Sequence, residues 1–307
     1  MLFIGGGVCD VYQPAEKEFE LTRQLLQHAH EYNFPVTIIT KSDLVLRDLD
    51  LLQKINKGSY VSVSVTITCA DDEIREIFEP RSSSTQERYS ALTILRKSGI
   101  HGGIYFVPVL PWIGDTEENM HSIYRMAKSS GAEYIVCGGL SLKPGKYKED
   151  FMNTIKEHFP SLYSKYVQLY GNNNKYGYPD SSYVEKMGVI DPALKGYKMC
   201  KDYNLPYMIP RYIQQGLIEE NVKWAESLYE IAHLKEYILR GSWREVSDFR
   251  KSSAIVEVLS KPLTKMSRGE IQTLPVPKIA SIHILELATK GKSTYLEKLR
   301  NDVNTMV

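Results

Sequence analysis

The chain has no C-x-x-C pair. Its four cysteines, Cys9, Cys69, Cys137 and Cys200, are scattered along 307 residues. That spacing argues against a disulfide framework or a zinc ribbon and leaves reduced thiols as the simplest reading. No apolar run approaches the ~18 residues that a bilayer-spanning helix needs. The start, Met1-Leu2-Phe3-Ile4-Gly5, lacks the basic region and long apolar stretch of a signal peptide. A cytoplasmic location without membrane contact is therefore expected. Charge of one sign is also scarce. A formal net charge of +1 and a pI near 7.6 point to no particular partner.

Several catalytic signatures are missing too. No H-E-x-x-H occurs among the seven histidines, and His28 and His30 read as helix-surface residues. Gly5-Gly6-Gly7 follows strand-like sequence, but a G-x-G-x-x-G loop would need glycine where Asp10 stands. Gly291-Lys292-Ser293-Thr294 has the end of a phosphate-binding loop, yet its first glycine would fall on Glu286. Residues 251–307 carry nine Lys/Arg against five Asp/Glu, a mild excess that fits a solvated helix face.

What is present is alternation. β-rich runs at Leu2–Gly6, Val36–Thr40, Val61–Thr68, Ile104–Leu110 and Tyr134–Cys137 are interleaved with amphipathic stretches. The stretches cover Ala15–Tyr32, Asp43–Asn56, Asp72–Phe78, Gln86–Lys97, Glu117–Ser129 and Tyr147–His158. Such spacing predicts βα units and a parallel sheet. A doubly wound sheet and a barrel both meet this description. Five units in succession without a long reversing crossover favour an α/β barrel, and so do polar residues at the strand ends. Strand-like sequence begins at residue 2, which reads as a barrel beginning one strand late. Residues 1–145 are expected to form the barrel domain, 146–210 a loop-rich connecting or lid region, and 211–307 a mainly helical C-terminal region.

The strand ends carry the chemistry. Asp10 follows the first strand, Lys41-Ser42 the second, and Thr66 and Thr68 lie at the end of the third, with Glu79-Pro80-Arg81 and Arg88 beyond. A carboxylate, a lysine and hydroxyls around one mouth suit a zwitterionic, amino-acid-like ligand. A salt-bridged rim is the alternative account of the same residues.

The segments D-x-Y-Q-P-A-E (Asp10–Glu16), T-K-S-D-L-x-x-R-D (Thr40–Asp48), E-P-R (Glu79–Arg81) and Pro108-Val109-Leu110-Pro111 resemble the spore photoproduct lyase-like group of radical S-adenosylmethionine (radical SAM) proteins. The resemblance runs from about Leu2 to Gly139 in order and spacing. It implies a partial (β/α)6 barrel and a [4Fe–4S] cluster on a C-x-x-x-C-x-x-C loop after the first strand. It also implies reductive cleavage of SAM to a 5′-deoxyadenosyl radical. Carried over by position, Cys9 and Asp10 would lie beside the SAM amino group and Lys41 would contact its carboxylate. Ser42 joins this cofactor-binding set, and Thr66 would lie by the ribose or methionine moiety.

The chain departs from the group's pattern in three places. Cys9 stands where the group has Thr or Ser, and Val11 where it has Pro. No C-x-x-x-C-x-x-C occurs in these residues; by resemblance that segment would precede residue 1, so no metal ligand is assigned. Convergence of Cys9, Cys69 and Cys137 on a cluster is the less economical account, and buried small residues the better one. The resemblance implies radical, lyase-like chemistry for the complete enzyme, with SAM as cofactor and an external electron donor. The substrate stays open, DNA included. The alternative is a non-catalytic remnant that keeps the barrel and SAM binding. A metal-independent barrel enzyme finds no acid–base pair to support it.

Overall fold

β-branched residues write the sheet. Val36–Thr40 (β2, VTIIT) and Val61–Thr66 (β3, VSVSVT) are buried along almost their whole length, as strands of a parallel sheet covered on both faces must be. The computed structural model describes residues 1–5, 9–171, 174–179, 184 and 186–306. Leu2–Ile4 (β1), His101–Val109 (β4) and Ile135–Gly139 (β5) complete a five-stranded sheet in the order β1-β2-β3-β4-β5. Every pairing is parallel, with Ile4 opposite Ile38, Thr40 opposite Val65, and Thr66 opposite Tyr105. Strand order follows chain order, without the reversal that a doubly wound sheet requires. The C-terminal ends of all five strands therefore share one edge. The expected end of the first strand at Gly6, and the rest of Gly5-Gly6-Gly7, lie outside the described residues.

The helices follow the expected spacing, with one instructive break. In place of one helix over 15–32 there are two, Glu16–Phe19 (α1) and Leu21–Glu31 (α2), separated by Glu20 in the left-handed region at φ 49°. The break lets the Glu16 carboxylate turn onto the start of α2. There it accepts from the amides of Thr22 (3.0 Å) and Arg23 (3.3 Å), donors that a helix start leaves unpaired. The second expected helix begins as a 3₁₀ segment at Asp43–Asp48 and continues as Leu49–Gly58 (α3). Asp72–Phe78 (α4), Thr85–Lys97 (α5) and Glu117–Ser129 (α6) are capped by Asp71, Ser84 and Thr116.

The valines of β3 face the helices, and Val61 and Val63 pack with Leu26 and Ala29 of α2 and Leu52 and Ile55 of α3. Its alternate residues, Ser62, Ser64 and Thr66, occupy the other face. There the Tyr134 hydroxyl lies 3.0 Å from Ser62 Oγ and 2.7 Å from Ser64 Oγ. Gly103 makes room for that ring: a Cβ would stand 2.4 Å from the Tyr134 carbonyl oxygen and 2.6 Å from the ring.

Residues 159–210 contain more regular structure than their composition predicts. Lys146–His158 (α7) is followed by three-turn helices at Pro160–Tyr170 (α8) and Pro192–Tyr203 (α9). Proline opens both, at a position where its missing N–H costs nothing. Much of the Tyr/Asn-rich stretch at 170–183 lies outside the described residues. α9 packs on β5, where Gly196 allows close approach: a Cβ there would stand 2.3 Å from Cβ of Cys137.

The chain divides into two compact units, Met1–Pro210 and Arg211–Val307. The second is helical: Glu219–His233 (α10) packs on Trp243–Glu257 (α11), followed by Arg268–Gln272 (α12), Lys278–Lys290 (α13) and Thr294–Thr305 (α14). Its tail is helical as well. Arg300 on α14 grips Glu230 on α10 through two 2.6 Å bonds, the fork geometry that suits a guanidinium and a carboxylate. Among the described residues no helix is long and apolar enough to cross a membrane.

Candidate cofactor site

Asp10, Lys41 and Thr66 stand at the C-terminal ends of three neighbouring parallel strands. Asp10 ties the first two together. Its Oδ1 accepts from the Tyr12 amide (2.8 Å) and the Thr40 hydroxyl (2.7 Å), and its Oδ2 from the Lys41 amide (2.6 Å). Three of about four acceptor positions of a carboxylate are thus occupied.

Behind Asp10 lies a scaffold of buried charge. The Tyr12 hydroxyl donates to Asp48 at 3.1 Å, and Asp48 also accepts from Arg23 (2.8 Å) and twice from Arg47 (2.9 and 2.8 Å). Arg47 continues to Glu16 at 2.7 Å. Burial, with Asp48 beside it, pushes the Tyr12 phenol well above its usual range. Burial also works to raise Glu16, but the bonds from Arg47 and from the Thr22 and Arg23 amides hold it below the usual carboxylate value. Most of the D-x-Y-Q-P-A-E and L-x-x-R-D residues therefore bind each other.

Lys41 is placed differently. Its ammonium meets Glu79 Oε1 at 2.7 Å, with the lysine side chain 35% exposed and the glutamate 8%. The same oxygen accepts from the Thr68 hydroxyl (2.9 Å), and Glu79 Oε2 accepts from Arg88 (2.7 Å). Arg88 is fully buried and also donates to the carbonyls of Ser83 and Thr66, each at 2.8 Å. Burial alone would raise the Glu79 pKa, but the charges of Lys41 and Arg88 overcome it and hold the carboxyl ionised, below its usual range. Two cations thus share one buried anion.

The remaining expected residues have other settings. The Ser42 hydroxyl caps the 3₁₀ segment by accepting from Leu44 N at 3.2 Å. Cys9 is exposed. Thr66 is buried, and no hydrogen bond to its hydroxyl is found among the described residues. Sequence reasoning noted Glu79 and Arg88 but gave them no place in the site. Only the fold of the loop at 79–84 brings them under Lys41.

Residues 1–127 match the radical SAM superfamily model. The matched residues hold β1 to β4 and the whole Lys41–Glu79–Arg88 group. The chain is 28% identical over 195 residues to an uncharacterised protein of Mycobacterium tuberculosis, covering 63% of this chain and 56% of that protein. It is 29% identical over 189 residues to an uncharacterised protein of Methanocaldococcus jannaschii, covering 62% and 67%. A protein of Acidianus two-tailed virus is 26% identical over 129 residues, covering 41% and 42%. The chain thus spans little more than half of the mycobacterial relative. No solved structure matches.

Radical SAM domains in general use SAM and a [4Fe–4S] cluster. The described residues do not fit a cluster, since they contain no group of three or more His, Cys, Asp or Glu side chains able to hold a metal ion. Cys69 is buried, and burial pushes its thiol up to about 11. Cys137 donates to the Pro192 carbonyl at 3.1 Å. Cys200 is buried near Tyr124, its thiol pushed by burial up to about 12. These thiols serve packing.

Proposed function

We propose that residues 1–145 are the SAM-binding part of a partial (β/α)6 barrel of the spore photoproduct lyase-like type, acting in SAM-dependent radical chemistry. The observation that carries this is the Lys41 ammonium: partly exposed, held by Glu79, and one residue beyond the Thr40–Val65 pair at the ends of adjacent strands, within the residues that match the radical SAM superfamily. An ammonium has three donors, and the one on Glu79 leaves others for a ligand carboxylate. The remaining acceptor position of Asp10, next to Cys9, suits the ligand's ammonium, and the Thr66 hydroxyl suits its ribose or methionine portion. Ser42 acts by shaping the turn that carries Lys41.

A substrate, with DNA as one candidate, and an external electron donor would be the further partners of that chemistry. Among the described residues no group of side chains is able to hold a cluster. That same observation favours a second reading, a SAM-binding chain without radical activity of its own.

Isothermal titration of the chain with SAM tests the proposal. Binding is expected, with affinity falling at least about tenfold in Lys41→Ala, the loss of one charge-assisted contact. Absence of any SAM binding by the folded wild-type chain would sink it. Anaerobic iron–sulfide reconstitution separates the two readings further. The 307 residues alone are expected to show no [4Fe–4S] absorbance, and a stoichiometric cluster would overturn the packing role given to the cysteines.

A further inference from the structure

We infer that Glu79 is a positioning residue: it sets where the Lys41 ammonium stands and makes the site selective for ligands that carry a carboxylate. The inference rests on the proposed SAM site and goes beyond it, because no sequence feature assigned Glu79 a role.

The argument starts from reach. A lysine has four rotatable side-chain bonds and a point charge at the end, so an unanchored ammonium at a strand mouth samples many positions. Here one carboxylate removes that freedom. Glu79 Oε1 takes the Lys41 ammonium at 2.7 Å and the Thr68 hydroxyl at 2.9 Å. Its second oxygen takes Arg88, whose other nitrogens reach the carbonyls of Thr66 and Ser83. A continuous chain of bonds thus runs from the backbone of Thr66 through Arg88 and Glu79 to Lys41. It fixes the separation between a cation just past β2 and a hydroxyl at the end of β3, the two groups that would hold opposite parts of one ligand. The network binds only one of the lysine's donors, so it orients the ammonium without consuming it.

Glu79 also has an opposing effect. A negative charge close to a bound carboxylate weakens its binding, so neutralising Glu79 mixes lost position with gained potential. The charge-conserving Glu79→Asp is the cleaner variant. It keeps the anion but withdraws it by one methylene, too far to hold Lys41 and Arg88 together.

The test compares SAM with 5′-methylthioadenosine, which keeps the adenosine and the S-methyl group but has a neutral thioether in place of the sulfonium and lacks the chain that bears the ammonium and the carboxylate. Glu79→Asp is expected to weaken SAM about tenfold and to leave 5′-methylthioadenosine within a factor of two. In a Lys41→Ala background the same change is expected to have no further effect on SAM, because its influence passes through Lys41. Equal losses for both ligands, or an undiminished loss in the Lys41→Ala background, would overturn the inference and reduce Glu79 to a structural role. Where Glu79→Asp does not fold, Thr68→Val serves instead. It keeps both charges, frees Glu79 Oε1 from one restraint, and is expected to weaken SAM alone. A wild-type chain that binds neither ligand removes the proposed site itself, and the inference with it. One that binds both but shows no coupling removes only the inference.

Discussion

The Arg88 guanidinium, 1% exposed, and the Glu79 carboxylate, 8% exposed, meet at 2.7 Å beneath the mouth of the parallel sheet. Each would be costly alone in that environment. Arg88 reaches three further acceptors, in Ser82, Ser83 and Thr66, and Glu79 gains Lys41 and Thr68. Four of the five guanidinium N–H donors are used, and dense hydrogen bonding of this kind is the condition under which buried ions are tolerated.

Removing the anion should be costly. Glu79→Gln leaves Arg88 buried with no counter-ion, and a loss of about 3 kcal/mol of stability is expected. Urea denaturation at neutral pH measures it. A change below about 0.5 kcal/mol would show that solvent reaches Arg88 despite its burial.

Acid should act through the same carboxyl. The Glu79 pKa in the folded protein lies below its unfolded value of about 4.3. Its contribution to stability is therefore fully present above that value and is lost as pH falls through the lower, folded value. Glu16, lowered in the same direction, adds to the effect. Stability measured from pH 7 downward is expected to fall steeply below about pH 4, and less steeply in Glu79→Gln, which has already lost the titrating group. Parallel slopes would assign acid sensitivity to other carboxylates.

Gly103→Ala should destabilise the sheet by steric conflict. The added Cβ would lie 2.4 Å from the Tyr134 carbonyl oxygen, a backbone atom that cannot turn aside. A loss of about 2 kcal/mol, typical of overpacking, is expected in thermal or chemical unfolding. A neutral result would mean that β4 and β5 separate more easily than their pairing implies.

Thiol labelling should resolve the four cysteines. Cys9 is exposed, whereas Cys69 and Cys200 are buried with thiols pushed up to about 11 and about 12. With a disulfide reagent at pH 8, Cys9 is expected to react quickly and Cys69 and Cys200 only on unfolding, because the thiolate is the reactive form. Fast labelling of Cys69 or Cys200 in the folded chain would contradict their burial.

Much of this molecule was legible in one dimension because its information is local. Val36–Thr40 and Asp72–Phe78 fall where β-branching and capping place them, since strand and helix propensity act over a few residues. The helix break at Glu20 was not legible. It depends on Glu16 turning onto the α2 amides while Arg47, from the next βα unit, neutralises it.

The site divides in the same way. Asp10, Lys41 and Thr66 could be assigned to strand ends from sequence, because βα alternation determines which residues follow each strand. Resemblance suggested what such a set binds. Only the tertiary structure decided what two of them already hold: Asp10 spends acceptor positions on Thr40 and the Lys41 amide, and Lys41 is anchored by Glu79. Those outcomes depend on distances between residues tens of positions apart in the chain. A hydrogen bond is made or lost within a few tenths of an ångström, a resolution that residue order does not carry. The alternation determined which side chains reach the mouth, and packing of the loop at 79–84 decided which of them remain available to a ligand.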